Sequence, residues 1–139
     1  MALVMNDTDM EWMMEEIRPE GENYTAKAWG TIMGGTAEVL ALGALSNVYC
    51  YVGVTTRSFV VAVLGTLDIS KINGRVCIPF QDIEKVSVKR GLIPSQRIIK
   101  IKSKGIKMKI SLVNNTITAK VKNQKGGMAG ICEALEKLQ

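Results

Sequence analysis

No histidine occurs among the 139 residues, which removes the side chain that most often serves as general base or metal ligand near neutral pH. Aromatic residues make up 5% of the chain and none lies between Phe80 and Gln139, so the C-terminal part offers no platform on which nucleic-acid bases could stack. Three prolines and thirteen scattered glycines leave no stretch with the composition of a disordered tail or long linker. The three cysteines, Cys50, Cys77 and Cys132, are far apart and include no C-x-x-C pair. An odd, dispersed set fits buried, reduced thiols with structural roles in a cytoplasmic protein, and fits neither a disulfide framework nor a zinc site.

Long apolar runs are also missing. The longest weakly charged stretch, 28–56, contains Glu38 as its single acidic charge before Arg57 and is interrupted by Gly30, Gly34, Gly35, Gly43, Ser46 and Asn47. A spanning helix of about 20 apolar residues does not fit there. The opening residues, Met1 to Asp7, lack both a basic n-region and a long apolar h-region, so the expectation is a soluble cytoplasmic protein without a signal peptide. No Walker loop, G-x-G-x-x-G, G-x-S-x-G or carboxylate pair suited to acid–base work is found. The sequence therefore points away from an enzyme, and it suggests no cofactor, metal or small-molecule substrate.

Acidic residues are absent where basic ones are dense. Between Lys85 and Lys125 stand twelve lysines and arginines and not one Asp or Glu, whereas residues 1–48 carry eight acidic and two basic side chains. Such a bias attracts anions, unless an acidic segment of the same or another chain neutralises it. Within the basic part, Ile98-Ile99-Lys100-Ile101-Lys102-Ser103 and Ile106-Lys107-Met108-Lys109-Ile110 alternate apolar and basic residues on either side of Lys104-Gly105. A turn at Lys104-Gly105 sets Lys102 opposite Lys107 and Lys100 opposite Lys109, giving one dry face and one lysine ladder. Like charges directly opposite each other oppose pairing by roughly 0.2–1 kcal/mol per pair, so the ladder needs a reason. Lysines that guard an edge against aggregation are one; an anionic partner is another.

Periodicity supplies the rest. Thr8-Asp9-Met10-Glu11 has capping-box spacing, and Met10, Met13, Met14 and Ile17 follow at i, i+3, i+4 and i+7 before Pro19. This predicts a helix over about 9–17 whose methionine stripe packs on its own core or on another subunit. From Glu22 onward the period falls to two. The expected strands are 23–33, 48–54, 59–64, 76–80, 83–89, 96–102 and 106–113. After Gly126-Gly127, the residues Met128, Ile131, Cys132, Leu135 and Leu138 return to helical spacing. Two glycines ahead of a helix beside Lys122 and Lys125 could offer backbone N–H groups to a phosphate, but two glycines are a weak signal and a flexible N-terminal entry to the helix is the better reading. Residues 35–45 read as an apolar loop or as a short helix capped by Thr36; 114–125 read as an extra strand or an ordered connection.

Seven strands followed by one helix resemble the pleckstrin-homology-like (PH-like) superfold, and two segments sharpen the likeness. Val54-Thr55-Thr56-Arg57-Ser58-Phe59 resembles the threonine- and arginine-bearing hairpin between the second and third strands of bacterial PH-like and GRAM-like domains. Ile78-Pro79-Phe80-Gln81-Asp82-Ile83-Glu84-Lys85-Val86 is similar to their segment joining strands four and five. Thr55 and Thr56 suit a tight turn, Pro79 an edge strand or bend, and Asp82 an Asx-type turn.

The resemblance implies a mainly β (α+β) fold: a seven-stranded barrel of two near-orthogonal antiparallel sheets. A C-terminal helix would plug it, with Met128, Ile131, Cys132, Leu135 and Leu138 as the plug. Residues 1–21 would form a Met-rich acidic helix and linker, and 22–139 the barrel. Eukaryotic relatives bind phosphoinositides with basic residues around the loop between the first two strands. Here no lysine or arginine lies between Lys27 and Arg57, so that headgroup site is not carried over.

Three functions remain, in this order. The first is a non-enzymatic binding and assembly module that meets protein partners, including copies of itself, with Met10, Met13, Met14 and Ile17 as oligomer contacts. The second is a peripheral binder of anionic membrane surfaces through Lys89, Arg90, Arg97, Lys100, Lys102, Lys107 and Lys109. The third, least favoured for want of aromatics, is non-specific nucleic-acid binding through the same residues.

Overall fold

Two patterns of apolar residues in the strands determine how many layers cover them. Ser58–Leu64 is buried at every position and Val48–Val54 at all but Tyr49, which requires a layer on both faces. Ile72–Pro79 and Gln96–Ser103 instead alternate between covered and exposed positions, as strands with one solvated face do. A computed structural model describes residues 4–33, 48–65, 68–114 and 119–139, and it meets both demands.

The elements in order are β1 (Met5–Asn6), α1 (Asp7–Glu16), β2 (Ala26–Ile32), β3 (Val48–Val54), β4 (Ser58–Leu64) and β5 (Ile72–Pro79). A single 3-10 turn (Phe80–Asp82) then leads into β6 (Ile83–Arg90), β7 (Gln96–Ser103), β8 (Ile106–Val113), β9 (Ala119–Lys120) and α2 (Gln124–Glu136). Seven strands form one antiparallel sheet in the order β5-β4-β3-β2-β8-β7-β6, and β1 pairs with β9 in parallel. The fold is mainly β with two helices. Among the described residues no ladder joins β5 to β6, so the sheet is open at its two ends and no closed barrel is seen.

The sheet wraps one core. Val52, Val54, Phe59 and Val61 from its first half meet Ile99, Ile101, Met108 and Ile110 from its second, together with Met128, Ile131 and Leu135 of α2. The two outer faces therefore point away from each other. On the outer side of β2–β4, Met10, Met13, Met14 and Ile17 bury against Trp29, Tyr51, Val60, Ala62 and Leu64. These four residues, expected as oligomer contacts, are 0–7% exposed within their own chain and are engaged by its own sheet. Burying each contributes roughly 1.5–3 kcal/mol as an upper bound.

Several local expectations are corrected. The helix starts two residues earlier than the Thr8 cap implies, because Asn6 is the N-cap: its Oδ1 accepts from the Asp9 N–H at 2.9 Å, and its Nδ2 donates to the Asp9 carboxylate at 3.2 Å. Gly126 and Gly127 lie inside the first turn of α2, where a Cβ on Gly127 would collide with the carbonyl oxygen of Lys27. Gly127 admits the helix against β2, and the two glycines stand within the helix and not ahead of it. Leu138, expected in the plug, is exposed beyond the helix end.

Cys50 and Cys132 are buried as expected, but Cys77 is exposed, since it faces outward on the edge strand β5. Asp82 makes no Asx turn; its backbone carbonyl instead accepts from the Ser103 hydroxyl at 2.7 Å. The apolar stretch 35–45 lies outside the described residues. Of 114–125, both readings hold in part: Ala119–Lys120 is a short strand, and an ordered turn leads from it into α2.

Candidate functional site

The hairpin of β7 and β8 has the register that its alternation predicts: Ile99 pairs with Ile110, Lys100 with Lys109, Ile101 with Met108 and Lys102 with Lys107. Gly105, at φ +71°, supplies the left-handed residue of the turn. Ile99, Ile101, Met108 and Ile110 fill the core, so the alternate positions must face outward.

The third strand extends the ladder. A bulge at Glu84 resets β6 so that Lys85 pairs with Lys102 and Ser87 with Lys100. One row across three strands is then Lys85, Lys102 and Lys107, and the next is Ser87, Lys100 and Lys109. Lys89 stands one step further along β6, opposite Ile98. Strands ~4.8 Å apart and a rise of ~3.4 Å per residue place six lysines on a patch roughly 10 by 14 Å. Lys85 was missing from the expected site, because its place depends on the bulge.

Among the described residues this face has little counter-charge. The ion pairs among the described residues are Arg18–Glu15, Lys27–Glu11 and Lys137–Glu133, none of them on it. Lys85, Lys89, Lys100, Lys102 and Lys109 have no carboxylate within 4.0 Å among the described residues, Glu84 included. Two lysine ammoniums 5 Å apart in water repel by about 0.8 kcal/mol before screening. An arriving anion relieves that repulsion.

The two arginines of the expected set are elsewhere. Arg90 and Arg97 pair with each other at the far end of β6 and β7, on the opposite parity to the lysines. Arg97 is half-buried, and its guanidinium donates to the Pro94 and Gln96 carbonyls at 2.8 and 2.9 Å. A groove of about 380 Å³ runs from Pro94 and Arg97 to Lys125, Met128 and Cys132 of α2.

The acidic counterpart lies on the other side of the molecule. Glu11, Glu15 and Glu16 are exposed on α1, over the outer face of β2–β4. Arg18 donates to both Glu15 oxygens at 3.0–3.2 Å, and these bonds hold the Glu15 carboxyl below its ordinary pKa. The charge dipole of the sequence is thus a dipole in space.

The second segment singled out by sequence is a structural knot. Thr55 is buried; its hydroxyl accepts from the Arg57 and Ser58 N–H groups at 3.0 and 2.9 Å and donates to Glu22 at 2.6 Å. Pro79 ends the edge strand β5, as a residue without an N–H can. Among the described residues no group of three His, Cys, Asp or Glu side chains could hold a metal, and no helix is long and apolar enough to cross a membrane.

No protein-family model and no curated protein matches the sequence. Among solved structures, the chain is similar to the hSac2 domain from the human phosphoinositide phosphatase Sac2, at 13% identity and a TM-score of 0.54, over 94% of this chain and 76% of that one. It is also similar to the C-terminal domain of an unknown protein from Leishmania infantum, at 10% identity and a TM-score of 0.51, over 91% of this chain and 94% of that one. Identities this low show a shared fold and carry no activity with them.

Proposed function

We propose that this chain is a non-enzymatic, PH-like binding module that attaches to anionic membrane surfaces through the outer face of β6–β8. The PH-like reading is supported by the strand order, in which four strands and then three turn around a shared core, and by the single long helix that follows. The function rests on one observation: lysines aligned row by row across three strands, of which Lys85, Lys89, Lys100, Lys102 and Lys109 have no carboxylate within 4.0 Å among the described residues.

The composition of the face favours a membrane over a protein as its partner. Protein interfaces concentrate their energy in aromatic residues and arginine and are depleted in lysine, whereas this patch holds lysine, serine and Ile98. Mobile ammonium groups suit a fluid field of headgroups, where each contributes about 1 kcal/mol. The reading places the protein on the cytoplasmic leaflet, which carries the anionic lipids.

Sedimentation with vesicles tests the proposal. The protein should pellet with phosphatidylserine-containing vesicles and remain free with phosphatidylcholine alone, and Lys100→Glu/Lys109→Glu should abolish pelleting at physiological salt. Equal pelleting with both lipids, or an unaffected double variant, overturns it. Steeply salt-dependent binding to DNA with none to vesicles would transfer the face to nucleic acid.

A second reading, self-association, is favoured by the spatial dipole: the exposed acids of α1 on one copy can meet the lysine face of another. Light scattering should then show an oligomer at low salt that dissociates at high salt. A monomer in both conditions rules it out.

A further inference from the structure

The connection between β6 and β7, Gly91-Leu92-Ile93-Pro94-Ser95, has no role in the core. Leu92 is fully exposed at 101%, and its neighbour Ile93 is 49% exposed. Single exposed hydrophobes are ordinary. Two adjacent ones at a hairpin tip, with Lys89 and Arg90 before them and Arg97 after, form an apolar point inside a cationic collar.

The tip is also built to hold its shape. Gly91 N–H donates to the Gln96 carbonyl at 3.0 Å, Gln96 N–H to the Ile93 carbonyl at 3.0 Å, and Leu92 N–H to the Gln96 side-chain oxygen at 2.9 Å. The Gln96 amide is itself fixed by donating to the Ser111 hydroxyl at 2.8 Å. Arg97 satisfies the Pro94 carbonyl, and Pro94 has no N–H to satisfy. Pairing of the Gly91, Leu92 and Gln96 N–H groups lowers the cost of bringing this backbone toward hydrocarbon, where unpaired polar groups are costly, and a fixed loop loses little entropy on docking.

We infer that the β6–β7 tip is a membrane-inserting wedge, with Leu92 and Ile93 entering the headgroup–acyl boundary of an anionic bilayer while Lys89 and Arg90 engage the surrounding phosphates. The inference rests on the membrane reading of the lysine face and deepens it, by supplying the apolar attachment that electrostatics alone lacks. Two weak attachments acting together give stable anchoring where one is readily reversible. Charge complementarity selects the occupant: a bilayer with anionic headgroups offers an apolar interior ringed by negative charge, matching both parts of the tip.

The test uses the full chain in a Cys77→Ser background, which removes the exposed thiol. Leu92→Cys labelled with a polarity-sensitive fluorophore should shift to the blue on adding phosphatidylcholine–phosphatidylserine vesicles, and should be quenched by lipids with nitroxide on the acyl chain. Unlabelled Leu92→Ser, at a fully exposed position that folding does not use, should bind those vesicles about tenfold more weakly. An unshifted fluorophore on vesicles that bind the protein overturns insertion and leaves the lysine face standing. Equal binding of Leu92→Ser and the parent does the same. If the parent protein fails to bind anionic vesicles at all, the membrane reading falls and the wedge falls with it.

Discussion

The side-chain amide of Gln124 serves Trp29 as a strand would. Its Oε1 accepts from the Trp29 N–H at 3.0 Å and its Nε2 donates to the Trp29 carbonyl at 2.9 Å, while the same Nε2 reaches the Val113 carbonyl at 3.1 Å. β2 and β8 pair only at Thr31 and Ile32, so the two strands part before Trp29, which stays paired with Tyr51 of β3 but has no strand on its β8 side. Gln124, 2% exposed at the start of α2, fills the opening and ties the helix to the corner. Gln124→Leu would leave a buried N–H and a buried carbonyl unpaired, each costing about 1–3 kcal/mol. Urea denaturation should show a loss of roughly 2–6 kcal/mol, and a loss below about 1 kcal/mol would mean that water replaces the amide.

The methionine helix gives a contrast within two adjacent residues. Met13 is fully buried on the outer face of the sheet, whereas Trp12 is 45% exposed. Met13→Ala should destabilise by about 2–5 kcal/mol and Trp12→Ala by less than about 1 kcal/mol, despite the larger side chain removed. Thermal melts of the two variants decide it. If Met13→Ala melts like the parent, the helix does not stay on the sheet in solution.

Where one side-chain parity decided burial, the sequence was legible. The bounds 48–54 and 106–113 match β3 and β8, and the ladder from Lys100–Lys109 to Lys102–Lys107 follows from one turn glycine. Lys85 escaped because a one-residue bulge at Glu84 decides which face it takes, and a bulge leaves no periodic mark. The docking of α1 had a signal that alternation hides: Phe59 to Leu64 are apolar at both parities, which calls for a second covering layer. Asn6 was a stronger cap than Thr8, yet the two-residue pairing of Met5–Asn6 with Ala119–Lys120 that holds it in place joins segments over a hundred residues apart. Local pattern contains no record of such a contact.

The three thiols should separate by exposure. Cys77 is exposed, while Cys50 and Cys132 are buried; burial raises the thiol pKa of the latter two, and partial desolvation by its neighbours raises that of Cys77. A disulfide reagent at pH 7 should modify one thiol per native chain, more slowly than it modifies a free cysteine, because the reactive thiolate is scarcer. All three should react in denaturant. Loss of the native reactivity in Cys77→Ser would assign it.

The Glu22–Thr55 bond links the segment after α1 to the turn between β3 and β4, and it should make acid stability measurable there. The Thr55 hydroxyl donates to the Glu22 carboxylate, and this bond is the main cause that lowers its pKa below the usual 4.5. A carboxyl depressed in the folded state contributes stability that is fully present above its unfolded pKa and is lost as pH falls through the folded value. The pair should therefore matter at neutral pH and fade below about pH 4.5. Thr55→Val removes the main donor and also unpairs the Arg57 and Ser58 N–H groups, so it should cost about 1–3 kcal/mol at neutral pH. The part of that loss carried by Glu22 should vanish in acid. NMR titration supplies the independent check: the Glu22 pKa should rise toward the ordinary carboxylate value in Thr55→Val, and an unchanged value would show that the hydroxyl does not hold the carboxylate in solution.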